Sequence, residues 1–117
     1  MGEQDLRVRT RQYALRIIKL YAALPKRVEA QVVGKQVLRS GTSVGAHYRE
    51  ACRAKSNADF ISKLEGGLQE LDETAYWLEL ICEANILPED RLKPLCGETD
   101  ELIAMFVTMV KNVKGRD

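Results

Sequence analysis

Apolar residues recur along almost the whole chain at spacings of three and four, and no stretch alternates with period two for long enough to build a sheet strand. A chain patterned this way is confined to helices packed on helices. Punctuation divides it into four segments, roughly 5–24, 27–55, 57–85 and 88–114. In the first, Leu6, Thr10, Tyr13, Ile17, Leu20 and Leu24 form a bundle seam that Pro25 stops. The second carries Val33, Val37, Ser40, Gly41, Val44, Tyr48 and Ala51 on one side, and Ser56 with Asp59 makes a capping-box-like start for the third. There Phe60, Leu64, Gly67, Leu71, Thr74, Leu78 and Ile81 define one heptad register, and Ile61, Leu68, Ala75 and Cys82 widen it toward a second neighbour. The fourth opens with Pro88, Glu89 and Asp90 and continues through Leu95, Thr99, Leu102, Phe106, Met109 and Val113; Pro94 is expected to kink it or delay its start.

Short connections between such segments favour neighbours of opposite direction, so the expected architecture is all-α, an up-down-up-down antiparallel four-helix bundle in which residues 1–117 form a single domain. A length of 117 residues, 45% of them hydrophobic, suits one modest core. No apolar run reaches the roughly 20 residues that span a bilayer, so no membrane partner is expected. The N-terminus lacks an apolar signal region, which makes the cytoplasm the expected compartment. Cys52, Cys82 and Cys96 are odd in number and widely spaced, and read as reduced thiols that pack as small hydrophobes.

Glycines inside helical patterns need a reason, because each costs about 1 kcal/mol relative to Ala. Gly34, Gly41, Gly45, Gly66 and Gly67 are best explained by close approach of helices. A phosphate cradle over Ser40–Gly45 would need a preceding strand and a Gly-Lys-Ser/Thr ending, and has neither.

Charge is the most informative pattern. Residues 1–56 hold 12 basic and 4 acidic side chains, net +8; residues 57–117 hold 6 and 13, net −7. Lys35, Arg39, Arg49 and Arg53 fall within about 40° of one line down the second helix, a stripe about 27 Å long opposite its apolar face. Glu65, Asp72, Glu79 and Glu83 make a matching acidic stripe on the third. Three readings follow. Both stripes keep the bundle soluble; the basic face of one copy meets the acidic face of another; or the basic stripe, with Arg7, Arg9, Arg11, Arg16 and Lys19 of the first helix, tracks a phosphate backbone of RNA or DNA.

Catalysis is not expected. A di-iron bundle needs two Glu-x-x-His motifs, whereas the one histidine, His47, has Val44 three positions before it. No third residue orients His47 toward a cysteine nucleophile, and a hydrogen-bonded boundary histidine is the expected role. Solvent-facing carboxylates offer no cleft for glycosidase-type chemistry. No metal and no cofactor is expected.

The run Gln36–Ala46 and the later stretches Phe60–Leu71 and Glu73–Leu80 resemble the four-helix bundle family first described as proteins encoded in intervening sequences of bacterial 23S ribosomal RNA genes. Arg39, Ser40 and Ser43 match its Arg-Ser-x-x-Ser core, Glu50 its following acid, and Gly66 and Glu70 its third-helix Gly and Glu. Where many members read Gly-Ala-Asn-Ile-Ala-Glu-Gly, this chain reads Gly45-Ala46-His47-Tyr48-Arg49-Glu50-Ala51. The resemblance implies a non-catalytic bundle without cofactor that assembles as a ring-shaped homo-oligomer, a pentamer. A related branch, the accessory variability determinant of diversity-generating retroelements, works with a reverse transcriptase and binds nucleic acid through a basic surface. RNA, DNA or a nucleic-acid enzyme are therefore implied partners beside the chain itself. Arg39, Ser40, Ser43, Glu50 and Glu70 are expected to share a polar network, since Arg39 and Glu50 lie about three turns apart on one helix.

Overall fold

Glycine positions show how closely the helices approach. A β-carbon at Gly41 would fall 2.6–2.9 Å from three carbons of Ile17, and one at Gly67 would fall 2.7 Å from the Phe106 ring. Backbone stands where side chains would otherwise stand, which recovers the helix-propensity cost of these glycines through contact. The Ser40–Gly45 run lies within a continuous helix and faces this packing.

The computed structural model describes residues 3–115, with side chains from Leu6 onward. Four helices follow one another: α1 (Glu3–Ala23), α2 (Val28–Cys52), α3 (Asn57–Glu83) and α4 (Glu89–Lys114). No strand occurs among the described residues. The particle measures 48 × 21 × 20 Å, a single rod-shaped domain. Consecutive helices share long interfaces, whereas α1 and α4 meet over a much shorter length.

Helix ends differ from the sequence expectation where specific hydrogen bonds set them. The α2 helix stops at Cys52, three residues early, because the Arg53 and Ala54 amides turn back to the Glu50 and Ala51 carbonyls. Ser56 Oγ then accepts from the Asp59 amide at 3.0 Å and caps α3. The C-terminus of α3 is a Schellman motif: Asn85 takes φ 57°, its amide reaches the Cys82 carbonyl, and the Ile86 amide reaches Ile81 at 3.0 Å. Ile86 and Leu87 are buried there and seal the turn. Pro94 does not delay α4, which begins at Glu89 behind Pro88 and runs through it. Both Pro94 and Asp90, whose carbonyl loses its usual amide partner, are exposed.

The core follows the sequence seams. Leu6, Tyr13, Ile17, Val37, Val44, Tyr48, Leu64, Leu71, Leu78, Leu92, Leu102 and Phe106 are all buried, while the second α3 register, Ile61, Leu68, Ala75 and Cys82, is half-buried. Met109 is only half-buried, and its neighbour Val110 fills the core instead. A buried hydroxyl layer draws one residue from each helix. The Tyr13 hydroxyl lies 2.6 Å from Thr99 Oγ1, and Ser40 Oγ lies 2.7 Å from Thr74 Oγ1. Thr99 and Thr74 each donate to the carbonyl four residues back, Leu95 and Glu70, at 2.8 Å. Every oxygen of the layer is thereby satisfied.

Candidate functional site

The outer edge between α1 and α2 is a cleft of about 410 Å³ lined by Thr10, Arg11, Ala14, Thr42, Gly45, Ala46 and Arg49. Ala14, Gly45 and Ala46 keep its floor low, and each wall contributes one arginine. The two threonine hydroxyls spend their protons on their own helices, Thr10 on the Leu6 carbonyl and Thr42 on Leu38, both at 2.7 Å. Donors aimed outward therefore come from the guanidinium groups, which match phosphate oxygens in a planar fork. Arg16, Lys19, Lys35 and Arg53 are exposed and Arg7 is half-buried. Among the described residues none of these seven cations has a carboxylate ion-pair partner.

Two of the predicted contact residues are committed inside the chain. Arg9 donates to Glu98 through Nε at 3.1 Å and Nη2 at 2.6 Å, and to Glu101 at 3.1 Å. The Glu98 bond is the main reason the guanidinium holds its proton more tightly than usual. Arg39 reaches Glu73 at 2.6 Å and Glu70 at 3.3 Å. The α2 stripe of Lys35, Arg39, Arg49 and Arg53 is thus exposed along its length but electrically interrupted at Arg39. On the acidic side Glu65 stands 3.5 Å from Lys114, and Asp72, Glu79 and Glu83 are exposed. Glu79 and Glu83 border a groove between α3 and α4 with Cys82, Glu89, Cys96 and Asp100.

The family-motif residues do not form one network. Arg39 and Glu70 are joined, and Glu70 stands 3.7 Å from His47 Nε2; Glu50 lies 3.8 Å from both His47 Nδ1 and Lys63. Ser40 belongs instead to the hydroxyl layer, and Ser43 donates to the Arg39 carbonyl at 2.7 Å. The expected hydrogen bond of His47 is corrected by these distances. Its Nδ1 is buried without a hydrogen-bond partner, and the imidazole packs 2.9 Å from where a β-carbon of Gly66 would stand.

Among the described residues no three His, Cys, Asp or Glu side chains converge as metal ligands, and no helix is long and apolar enough to cross a membrane. Cys52, Cys82 and Cys96 are half-buried thiols outside any disulfide, and burial pushes the Cys96 thiol above its ordinary value. Two features went unread in the sequence. Arg91 faces α1 at the start of α4. Val8, Leu15 and Ile18, about half exposed and spaced by seven and three residues, line the outside of α1 on the side away from its core face.

Comparison with known proteins agrees with this architecture. No curated protein matches the chain. A crystal structure of a protein of unknown function from the S23 ribosomal protein family of Bacteroides thetaiotaomicron VPI-5482 superposes with a TM-score of 0.89 and 36% sequence identity, covering 95% of this chain and 99% of that one. A sequence profile of the 23S rRNA-intervening sequence protein family matches residues 3–108. With its four-helix architecture and a match over nearly its whole length, the chain belongs to the 23S rRNA-intervening sequence protein family.

Proposed function

We propose that this protein is a non-catalytic, up-down-up-down antiparallel bundle that assembles into a ring-shaped homo-oligomer in the cytoplasm and binds RNA or DNA, alone or with a nucleic-acid enzyme, through the cationic face of α1 and α2. Opposed directions are supported by the order of contacts: Gly45, Gly41 and Gly34 of α2 approach Thr10, Ile17 and Tyr21 of α1 in turn. The nucleic-acid reading is carried by one observation, Arg11 and Arg49 on opposite walls of a shallow cleft without a carboxylate in its lining. Phosphate contacts of this kind release counterions, so affinity falls with salt.

The test is the salt dependence of binding to a short RNA and a short DNA by fluorescence anisotropy. Replacing both arginines in R11Q/R49Q should weaken binding and reduce the slope of log K against log salt by about 1.4–1.8, two contacts at roughly 0.7–0.9 each. Wild-type binding with no salt slope, or no binding, sinks the proposal.

Assembly has its own support in the exposed apolar side chains Val8, Leu15 and Ile18 of α1 and Val28 and Val32 of α2. Tyr76 and the acids of α3 present the complementary chemistry. Five copies are the number that family resemblance implies. Light scattering after size exclusion tests it: a mass near 13.2 kDa contradicts assembly, and an R49A/R53A variant that assembles like wild type contradicts a charge-mediated ring.

A further inference from the structure

The seam between α1 and α4 has opposite electrostatics at its two ends. At one end Arg9 is neutralised by Glu98 and Glu101. About two turns farther along α1, Arg16 and Lys19 line a depression of about 210 Å³ together with Arg91 from the first turn of α4. Leu20, Pro94 and Leu95 complete its lining, and no carboxylate takes part. Asp90, beside Arg91 in sequence, is exposed but does not line it, and Glu89 borders the α3–α4 groove instead. Among the described residues none of the three cations has an ion-pair partner.

Three like charges gathered on one concavity raise one another's energy, and an apolar wall behind them focuses their field outward. Pro88 starts α4 without a side-chain cap, so the positive end of that helix dipole lies at the same end of the seam. The fold has placed an acid opposite the cation at one end and a third cation at the other, and only an anion from outside can balance the second arrangement.

We propose that this depression binds a diphosphate or triphosphate group. A single phosphate carries about −1.5 to −2 at pH 7, too little for three cations, whereas linked phosphates match them and offer more oxygens to two arginine forks. The space is smaller than the roughly 300–1,000 Å³ of pockets that enclose a whole drug-sized ligand. It therefore takes the anionic group and leaves the rest of the ligand outside, against the exposed Pro94 ring. The site lies on the flank of α1 that faces α4, whereas Arg11 and Arg49 flank the cleft with α2, so it stands or falls independently of the nucleic-acid proposal.

Isothermal titration of the full chain with sodium pyrophosphate at about 150 mM NaCl, where exposed charges are largely screened, tests the site. Wild type should bind pyrophosphate more tightly than orthophosphate. The R16Q/R91Q variant should weaken pyrophosphate binding at least tenfold, and K111Q, at an exposed lysine that lines neither cleft, should leave it unchanged. Circular dichroism checks that R16Q/R91Q is folded, and K19Q/R91Q provides a second variant with the same expected loss. Absence of pyrophosphate binding, equal affinity in wild type and both Arg91 variants, or orthophosphate binding as tight as pyrophosphate overturns the proposal. ATP, and a 5′-triphosphorylated oligonucleotide measured against its 5′-hydroxyl counterpart, then separate the two sources of such a group: a triphosphate-dependent gain on the oligonucleotide identifies an RNA end, and ATP binding without that gain identifies a free nucleotide.

Discussion

Replacing Gly41 with Ala sets two effects of known sign against each other. The methyl group favours helix by about 1 kcal/mol at an interior position. It also arrives 2.6 Å from Ile17 Cγ1 and 2.9 Å from both Cδ1 and Cγ2. Ile17 is fully buried, and its branched Cβ holds one strongly preferred rotamer in a helix, so the side chain has nowhere to turn. Overpacking of this kind costs about 1–3 kcal/mol, and three contacts this short place Gly41 at the upper end, for a net loss of about 2 kcal/mol. In a chain of this size that lowers the midpoint by roughly 6–10 °C. Gly97, also inside a helix, is the control: nothing would lie within 4 Å of its added carbon. G97A should gain about 1 kcal/mol, or roughly 3–5 °C. Thermal and urea unfolding followed by circular dichroism at one protein concentration keeps assembly constant across the series. If the clash with Ile17 sets the sign, G41A should become stabilising in an I17A background. A G41A protein as stable as wild type, or an effect that does not change with I17A, refutes the reasoning.

Other substitutions test the remaining contacts. Burial pushes the Tyr13 hydroxyl up to about 12 from 10.0. The folded protein then keeps a proton that the unfolded chain loses, so this contribution is whole below pH 10 and disappears as pH rises toward 12, a loss of about 2–3 kcal/mol. Y13F lacks the ionisation, and its stability should overtake that of wild type across that window in alkaline urea melts. Removing Arg9 as R9Q leaves the mostly buried Glu98 without its cation and should cost about 1–2 kcal/mol by urea unfolding, with E98Q restoring part of it. Near-additive losses for the pair would show that the bond contributes little. In the hydroxyl layer, S40A and T74V should each cost about 1 kcal/mol, and the double variant less than their sum, because removing both partners leaves no unpaired oxygen between them.

Helix periodicity made the core legible because burial and sequence spacing obey the same geometry: Leu6 through Leu24 on α1 and Leu64 through Ile81 on α3 are buried as their spacing requires. The Ser56 cap was legible for the same local reason, since donor and acceptor are three residues apart. Charge was less so. Arg9 and Arg39 look equivalent to Arg11 and Arg49 along one helix, and only the packing of α4 and α3 beside them decides which find acids. The α3 helix ends at Glu83, two residues before the apolar spacing requires, because Asn85 takes the left-handed conformation of a Schellman turn, which hydrophobic periodicity does not register. The apolar outer face of α1 was hidden by the interleaving of Val8, Leu15 and Ile18 with arginines, which reads as ordinary surface until the structure shows that the core lies on the opposite side.

Because α1 and α4 touch so briefly while consecutive helices lie together, the fold is in effect a strip of four helices curled until its edges meet. Such a strip assembles from neighbours in sequence, at little loop-closure entropy per step. Joining its edges is the one long-range event, bringing together residues 86 to 96 positions apart at the Tyr13–Thr99 and Arg9 contacts. A last-formed, lightly held edge is also the first to part. Amides of the edge helices α1 and α4 should therefore exchange with solvent before those of α2 and α3, and the opening they report would expose apolar core along one line while consecutive helices stay joined.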